Sequence, residues 1–198
     1  MDSSEIFETT TVLRDAPCLC IVVPCYNEEE ALPISIPVLQ GIILEMELAG
    51  DIRSDSFILL VDDGSTDCTW DVISEFVTES ILDENQIRIS AVGLSHNRGH
   101  QTALTAGLST AVNFADVTIT IDADLQDDVA AMKDMILQYR EGSDIVYGGR
   151  ADRSSDTHFK RNSAQGYYKL MKQFGVELVY NHADYRLMSR RVIKALAA

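Results

Sequence analysis

Short apolar runs alternate with amphipathic helical stretches five times along this chain, and few folds accept that order. CLCIVVP (18–24), SFILLVDD (56–63), IRISAVGLS (87–95), VTITID (117–122) and DIVYGG (144–149) each read as a strand. The first is an unbroken apolar run, as expected of a strand covered on both faces. Helical patterns lie between them. Leu32 to Leu48 is closed by Gly50, and Trp70, Ile73, Phe76 and Val77 mark the second helix. A third begins near Gly99, with Leu104, Leu108, Ala111 and Val112 on one face, and Val129 to Tyr139 forms a fourth. Pro33 suits the first turn of its helix, whereas Pro37 is less comfortable inside it and argues for a later start.

This order predicts an α/β domain, a mainly parallel central sheet flanked by helices. Functional groups of such sheets lie outside the carboxyl ends of the strands. Those ends carry Pro24-Tyr26-Asn27-Glu28, Asp62-Asp63-Gly64-Ser65, Asn97-Arg98-Gly99-His100, Asp122-Asp124-Gln126 and Gly148-Gly149-Arg150. Five polar clusters at equivalent places imply one composite cleft for a phosphorylated ligand and a metal. The fourth is the most telling. Asp122 and Asp124 lie one residue apart, and two such carboxylates do not both stay ionised in a cleft without a counterion. Mg²⁺ or Mn²⁺ takes oxygen ligands and bridges to phosphates. The rival reading is an acidic loop in which Asp127 or Asp128 caps the next helix. No GxGxxG or GxxxxGK[ST] follows a strand, so dinucleotide oxidoreductases and P-loop phosphotransferases lack support.

The chain has 198 residues, 46% of them hydrophobic, enough for one domain with a full core. Residues 1–16 read as a flexible segment and 17–198 as the domain. No apolar run has membrane-spanning length and no signal pattern opens the sequence, so cytosolic exposure is the expectation. The four cysteines are not spaced as a zinc site or a redox pair, and Cys18 and Cys20 read as small buried hydrophobes. Residues 1–149 hold 27 acidic and 6 basic side chains, a balance of −21. Residues 150–198 hold 4 acidic and 10 basic ones, a balance of +6. The acidic body argues against nucleic acid as a partner. The basic quarter either faces phosphates or an anionic membrane, or is a solvated basic helix.

IVVPCYNEEEALP, VDDGSTDCTW, LSHNRGHQTALTAGL, IDADLQDD and ADYRLMSRRVIKAL together resemble the inverting family 2 glycosyltransferases over residues 18–198. The resemblance is closest to the polyprenyl-phosphate branch, with dolichol-phosphate mannose synthases and bactoprenol glucosyltransferases. It implies the glycosyltransferase-A fold and transfer of a hexose from a UDP- or GDP-sugar to polyprenyl phosphate at the cytosolic membrane face. A saccharide hydroxyl in surface-polysaccharide synthesis is the alternative acceptor.

The resemblance also implies roles. Pro24, Tyr26, Asn27 and Glu28 would line the nucleoside pocket, unless Asn27 and Glu28 only cap a helix. Asp63 would accept the imide proton of the base, or else form a turn, with Asp62 the weaker choice. Asn97, Gly99 and His100 match a segment that usually reads N-x-G-K. His100 stands in place of the lysine and either meets a phosphate or only starts a helix. Asp122, Ala123 and Asp124 form the metal and diphosphate segment, with Gln126 as third oxygen ligand. Arg150 and Arg153, followed by Lys160 and Arg161, would meet the donor or acceptor phosphates. Asp184 would be a general base, or orient Arg186, or pair with Arg186 or Arg190. The expected catalytic set is Asp184, Asp124 and Arg150. Tyr185, Leu187 and Met188 read as core and His158 as surface. The chain stops within a helical pattern where members of this branch continue into membrane-associated helices. A catalytic part of a longer protein is therefore expected, with homo-oligomerisation left open.

Overall fold

The computed structural model describes residues 13–83, 85–148 and 185–196. In chain order the elements are β1 (Leu19–Cys25), α1 (Leu32–Leu48), β2 (Phe57–Asp62), α2 (Thr69–Leu82), β3 (Arg88–Gly93) and α3 (His100–Ala111). They continue as β4 (Val117–Thr120), α4 (Ala131–Arg140), β5 (Ile145–Tyr147), β6 (Arg186–Ser189) and α5 (Arg190–Leu196). The sheet order is β3-β2-β1-β4-β6-β5. β1 pairs in parallel with β2 and β4, and β2 with β3, whereas β6 runs antiparallel to both β4 and β5. The sheet is thus mainly parallel, with one reversed strand. Every residue of β1, β2 and β4 is buried, which explains their unbroken apolar sequences.

Two apolar layers cover the sheet. Leu19, Ile21, Val23, Ile58, Leu60 and Ile119 pack under α1, α2 and α4. Cys18, Cys20, Val22, Leu59 and Val61 pack on the other face under Ala103, Leu104 and Ala111 of α3. The buried Cys18 and Cys20 behave as the sequence suggests.

α1 begins at Leu32 despite Pro37, which lies inside the helix. Burial of Leu32, Ile36, Leu39, Ile43 and Met46 against the sheet outweighs the hydrogen bond that Pro37 cannot make. α4 starts at Ala131 rather than Val129. The Asp128 carboxylate accepts the Ala130 N–H at 3.0 Å, and this turn comes before the helix. β6 has four residues, too few for a periodic signal. Tyr185, Leu187 and Met188 are buried there, as their apolar character predicts.

Pro24 lies in β1, a central strand, where a missing N–H is normally costly. The Val22 carbonyl accepts from Ile121, so Val22 directs its backbone groups toward β4, and Pro24, two residues on, faces the same side. By then β4 has ended at Thr120. β1 and β4 therefore part at their carboxyl ends, and the gap forms one wall of a cleft.

Gly107 in α3 fixes how closely the helix approaches. A Cβ there would lie 2.5 Å from Val22 Cγ1 and 2.9 Å from Val61 Cγ2. Both valines are fully buried and stiff at χ1. Gly107→Leu is expected to lower unfolding free energy by about 3 kcal/mol through overpacking, measured by chemical denaturation. An unchanged midpoint would contradict this packing.

Candidate active site

The parallel register brings the carboxyl ends of β1, β2 and β4 side by side, with the first turn of α3 above them. Between them lies a cleft of about 400 Å³. Pro24, Tyr26, Glu28, Asp63, Asn97, Gly99, His100, Asp122, Ala123 and Asp124 line it, together with Cys25 and Ala103. Ten sequence-selected residues thus meet in one place. Cys25 and Ala103 were missed because each reads as an ordinary core residue. Asn27 and Gln126 do not line the cleft. Arg150, Arg153, His158, Lys160, Arg161 and Asp184 lie outside the described residues.

Asn27 braces the rim. Its φ of 56° is left-handed, a conformation asparagine tolerates better than most residues. Its N–H donates to Ser65 Oγ at 2.9 Å and its Oδ1 accepts the Thr66 N–H at 2.9 Å. Glu28 N–H donates to Thr69 Oγ1 at 2.7 Å, and the Cys68 N–H donates to Glu29 Oε2 at 2.8 Å. The loop after β1 is thereby fastened to the loop after β2.

The two adjacent aspartates divide their work. Asp62 makes the turn, since its carboxylate accepts from the backbone N–H and the hydroxyl of Ser65. Asp63 is buried and reaches across to the next loop. Its Oδ1 accepts the Arg98 N–H at 2.7 Å and its Oδ2 accepts the Gly99 N–H at 2.8 Å. Asn97 Oδ1 also accepts the Gly99 N–H, at 3.0 Å. Gly99 has φ 90°, which suits glycine far better than any L side chain. Asp63 thus sets the height of α3 above the cleft while lining its wall.

The acidic tip is equally constrained. Leu125 has φ 48°, strained for a bulky residue, and its side chain packs against the main core. Ala123 is buried, so Asp122 and Asp124 flank it. The Gln126 N–H donates to Asp124 Oδ1 at 3.2 Å and its Nε2 to Oδ2 at 2.7 Å. Gln126 therefore holds Asp124 from outside the cleft. His100 Nε2 lies 3.9 Å from Asp122 Oδ1. From below, the buried Tyr185 hydroxyl donates to the Asp128 carbonyl at 2.8 Å. Burial pushes the Tyr185 phenol pKa up, and Asp128 and Asp127 add to it, so the ring stays neutral and donating.

The electrostatics of the cleft are strongly negative. Burial raises the Glu28 carboxyl above the ordinary glutamate range, and the charges of Asp124, Asp122 and Asp67 raise it further. Among the described residues no three His, Cys, Asp or Glu side chains gather closely enough to cage a metal. The donor set suits an ion that takes a few carboxylate oxygens and fills its shell from water and a phosphorylated ligand, as Mg²⁺ does.

A model of glycosyl transferase family 2 matches residues 20–197. The chain belongs to glycosyl transferase family 2. It is 47% identical over 183 residues to the uncharacterized glycosyltransferase YkoT of Bacillus subtilis, covering 92% of this chain and 52% of the relative. It is 34% identical over 178 residues to the prophage bactoprenol glucosyl transferase homolog of Escherichia coli, 89% and 53% of the two chains. The bactoprenol glucosyl transferase of Shigella phage SfV is 33% identical over 177 residues, again 89% and 53%. This family 2 chain therefore spans about half the length of the curated relatives it matches. The mannosyltransferase PcManGT of Pyrobaculum calidifontis, solved with GDP-Man and Mn²⁺, has the same fold. Its TM-score is 0.54 at 18% identity, over 94% of this chain and 49% of that one. TarS 1–349 of S. aureus, solved with UDP, gives 0.53 at 16% identity over 90% and 48%. The α/β fold is of the glycosyltransferase-A type.

The raised Glu28 carboxyl has a testable sign. Its neutral form is the one the fold favours, so its contribution to stability is present below the ordinary glutamate range and is lost as pH rises through the raised value. Glu28→Gln keeps that position neutral. In metal-free buffer the variant is expected to melt above the parent at pH 7.5, with the gap closing toward pH 4. An equal or lower melting temperature at pH 7.5 would contradict the repulsion.

Proposed function

We propose that this chain transfers a hexose from a nucleoside-diphosphate sugar to a polyprenyl phosphate, with inversion at the anomeric carbon and dependence on a divalent cation. The observation that carries the reading is the meeting of Asp63, Asp122 and Asp124 with the first turn of α3 in one cleft at the carboxyl edge of the sheet. The names of the bactoprenol relatives support the acceptor, and the nucleotides in the related structures support the donor class.

Pro24, Tyr26, Asp63 and Asn97 take the nucleoside. Each Asp63 oxygen accepts one backbone N–H and retains a second lone pair, which suits an imide N–H of uracil or guanine. The first N–H groups of α3 and His100 face the diphosphate, because a helix N-terminus favours anions. Asp122 and Asp124 hold the cation, Mg²⁺ or Mn²⁺, with Gln126 keeping Asp124 in place. When bound, such a cation neutralises charge on the departing diphosphate oxygens.

The attacking oxygen of a phosphate monoester is already anionic near neutrality, since its second pKa is about 6. Such an acceptor needs little help from a general base. Asp184 therefore orients the acceptor side, and Arg150 and Arg153 meet phosphate oxygens through their planar forks. The setting is the cytosolic face of a membrane. Among the described residues no helix is long and apolar enough to cross one.

The test supplies radiolabelled UDP-glucose or GDP-mannose with polyprenyl phosphate and Mn²⁺. Label is expected to enter the organic phase with one donor, and Asp124→Asn is expected to lower the rate by at least about a hundredfold, the scale of losing one transition-state charge partner. Label confined to water-soluble product, or transfer unchanged in Asp124→Asn, would overturn the proposal.

A further inference from the structure

Three buried side-chain atoms among the described residues find no hydrogen-bond partner: Ser35 Oγ, Glu47 Oε1 and Arg186 Nε. Ser35 and Glu47 belong to α1. A serine hydroxyl is neutral. Glu47 can shed its charge by taking a proton, and burial already raises its pKa. Arginine has no such escape, because its guanidinium does not deprotonate in proteins. Arg186 is half-buried, and its Nε–H is closed off from water with no acceptor among the described residues, an arrangement that an anionic oxygen would complete. Arg186 makes no ion pair with any described residue.

Its position suggests where the anion lies. Arg186 pairs with Thr120 across the antiparallel β4–β6 ladder, so their side chains share a face. Thr120 lies opposite Val22, which packs in the layer under α3. Alternation along β4 then sends Ile121 to the main core and Asp122 back to the α3 face, where His100 meets it. Arg186 therefore stands one strand from the acidic tip, at the same edge and on the same face.

The order of strands fixes the order of functions. Asp63 follows β2, Pro24 and Tyr26 end β1, and Asp122 and Asp124 follow β4. β6 comes next in the sheet, beyond the tip and away from the nucleoside wall. A donor laid from Asp63 toward Asp122 ends its diphosphate at β4, and what lies past it is the acceptor.

We infer that Arg186 is an acceptor-binding residue whose guanidinium takes an anionic phosphate oxygen of the acceptor and holds that phosphate beside the acidic tip. This rests on the reading of the acceptor as a lipid phosphate. The contact is electrostatic and forms no covalent bond.

The experiment compares the 198-residue protein with Arg186→Met and Arg186→Lys. Steady-state transfer to a short-chain isoprenyl phosphate in detergent gives the acceptor KM. Titration with GDP or UDP in Mn²⁺ gives donor affinity, and thermal melting checks the fold. Arg186→Met is expected to raise the acceptor KM at least about tenfold, the scale of one charge-assisted contact, with donor affinity unchanged. Arg186→Lys is expected to recover part of that loss. An acceptor KM unchanged in a folded Arg186→Met variant would overturn the inference, as would donor affinity falling in step with it. A parent protein that transfers nothing to isoprenyl phosphate would overturn the function itself, which is a distinguishable failure.

Discussion

Carboxylates that repel one another are held at the rim of a single cleft, and the rest of the structure serves that arrangement. Glu28, Asp122 and Asp124 come from loops after two neighbouring parallel strands, and the Glu28 carboxyl is raised first by burial and then by the charges of Asp124 and Asp122. The main core anchors Leu125, Tyr185 ties the tip from below, and the loop after β1 is stitched to the loop after β2. Under the proposed function, a cation on a phosphorylated ligand would relieve that repulsion on binding.

Asp63 shows how a single buried group links architecture to chemistry. Its carboxylate spans from the end of β2 to the loop before α3 and fixes two consecutive backbone N–H groups. That contact positions the first turn of α3, while Gly107 sets the approach of its middle to β1 and β2. Pro24 contributes by what it lacks, since a missing donor costs little where β1 has left β4. The walls of the cleft and its acidic tip thus follow from where strands stop.

Much of this was legible in the sequence because parallel sheets convert strand ends into sites. The alternation pointed to the α/β class, the polar clusters after each run supplied nine of the residues that line the cleft, and the family resemblance added Ala123. Side-chain direction was less legible. Asn27 and Glu28 share a motif, yet Asn27 turns outward to brace the rim while Glu28 faces inward. Gln126, a candidate ligand through the family resemblance, donates its amide Nε2–H to Asp124. β6 was invisible because four residues carry no periodicity, and with it went the placement of Arg186, which depends on a register formed with a strand 66 residues away in sequence. The bounds of α1 match the sequence reading of Leu32 to Leu48, and Pro37 stays inside because the burial that outweighs its local cost is tertiary.

The central claim is that the tip after β4 grips a cation on the donor diphosphate. A crystal of this chain soaked in Mn²⁺ and the nucleoside diphosphate it binds tests that most directly, through the anomalous signal of manganese. The account predicts a single strong peak about 2.1–2.2 Å from an oxygen of Asp122 or Asp124, the range for a hard divalent cation on carboxylate, and shared with the diphosphate. Nucleotide bound in the cleft with manganese elsewhere, and both carboxylates turned away from it, would contradict it.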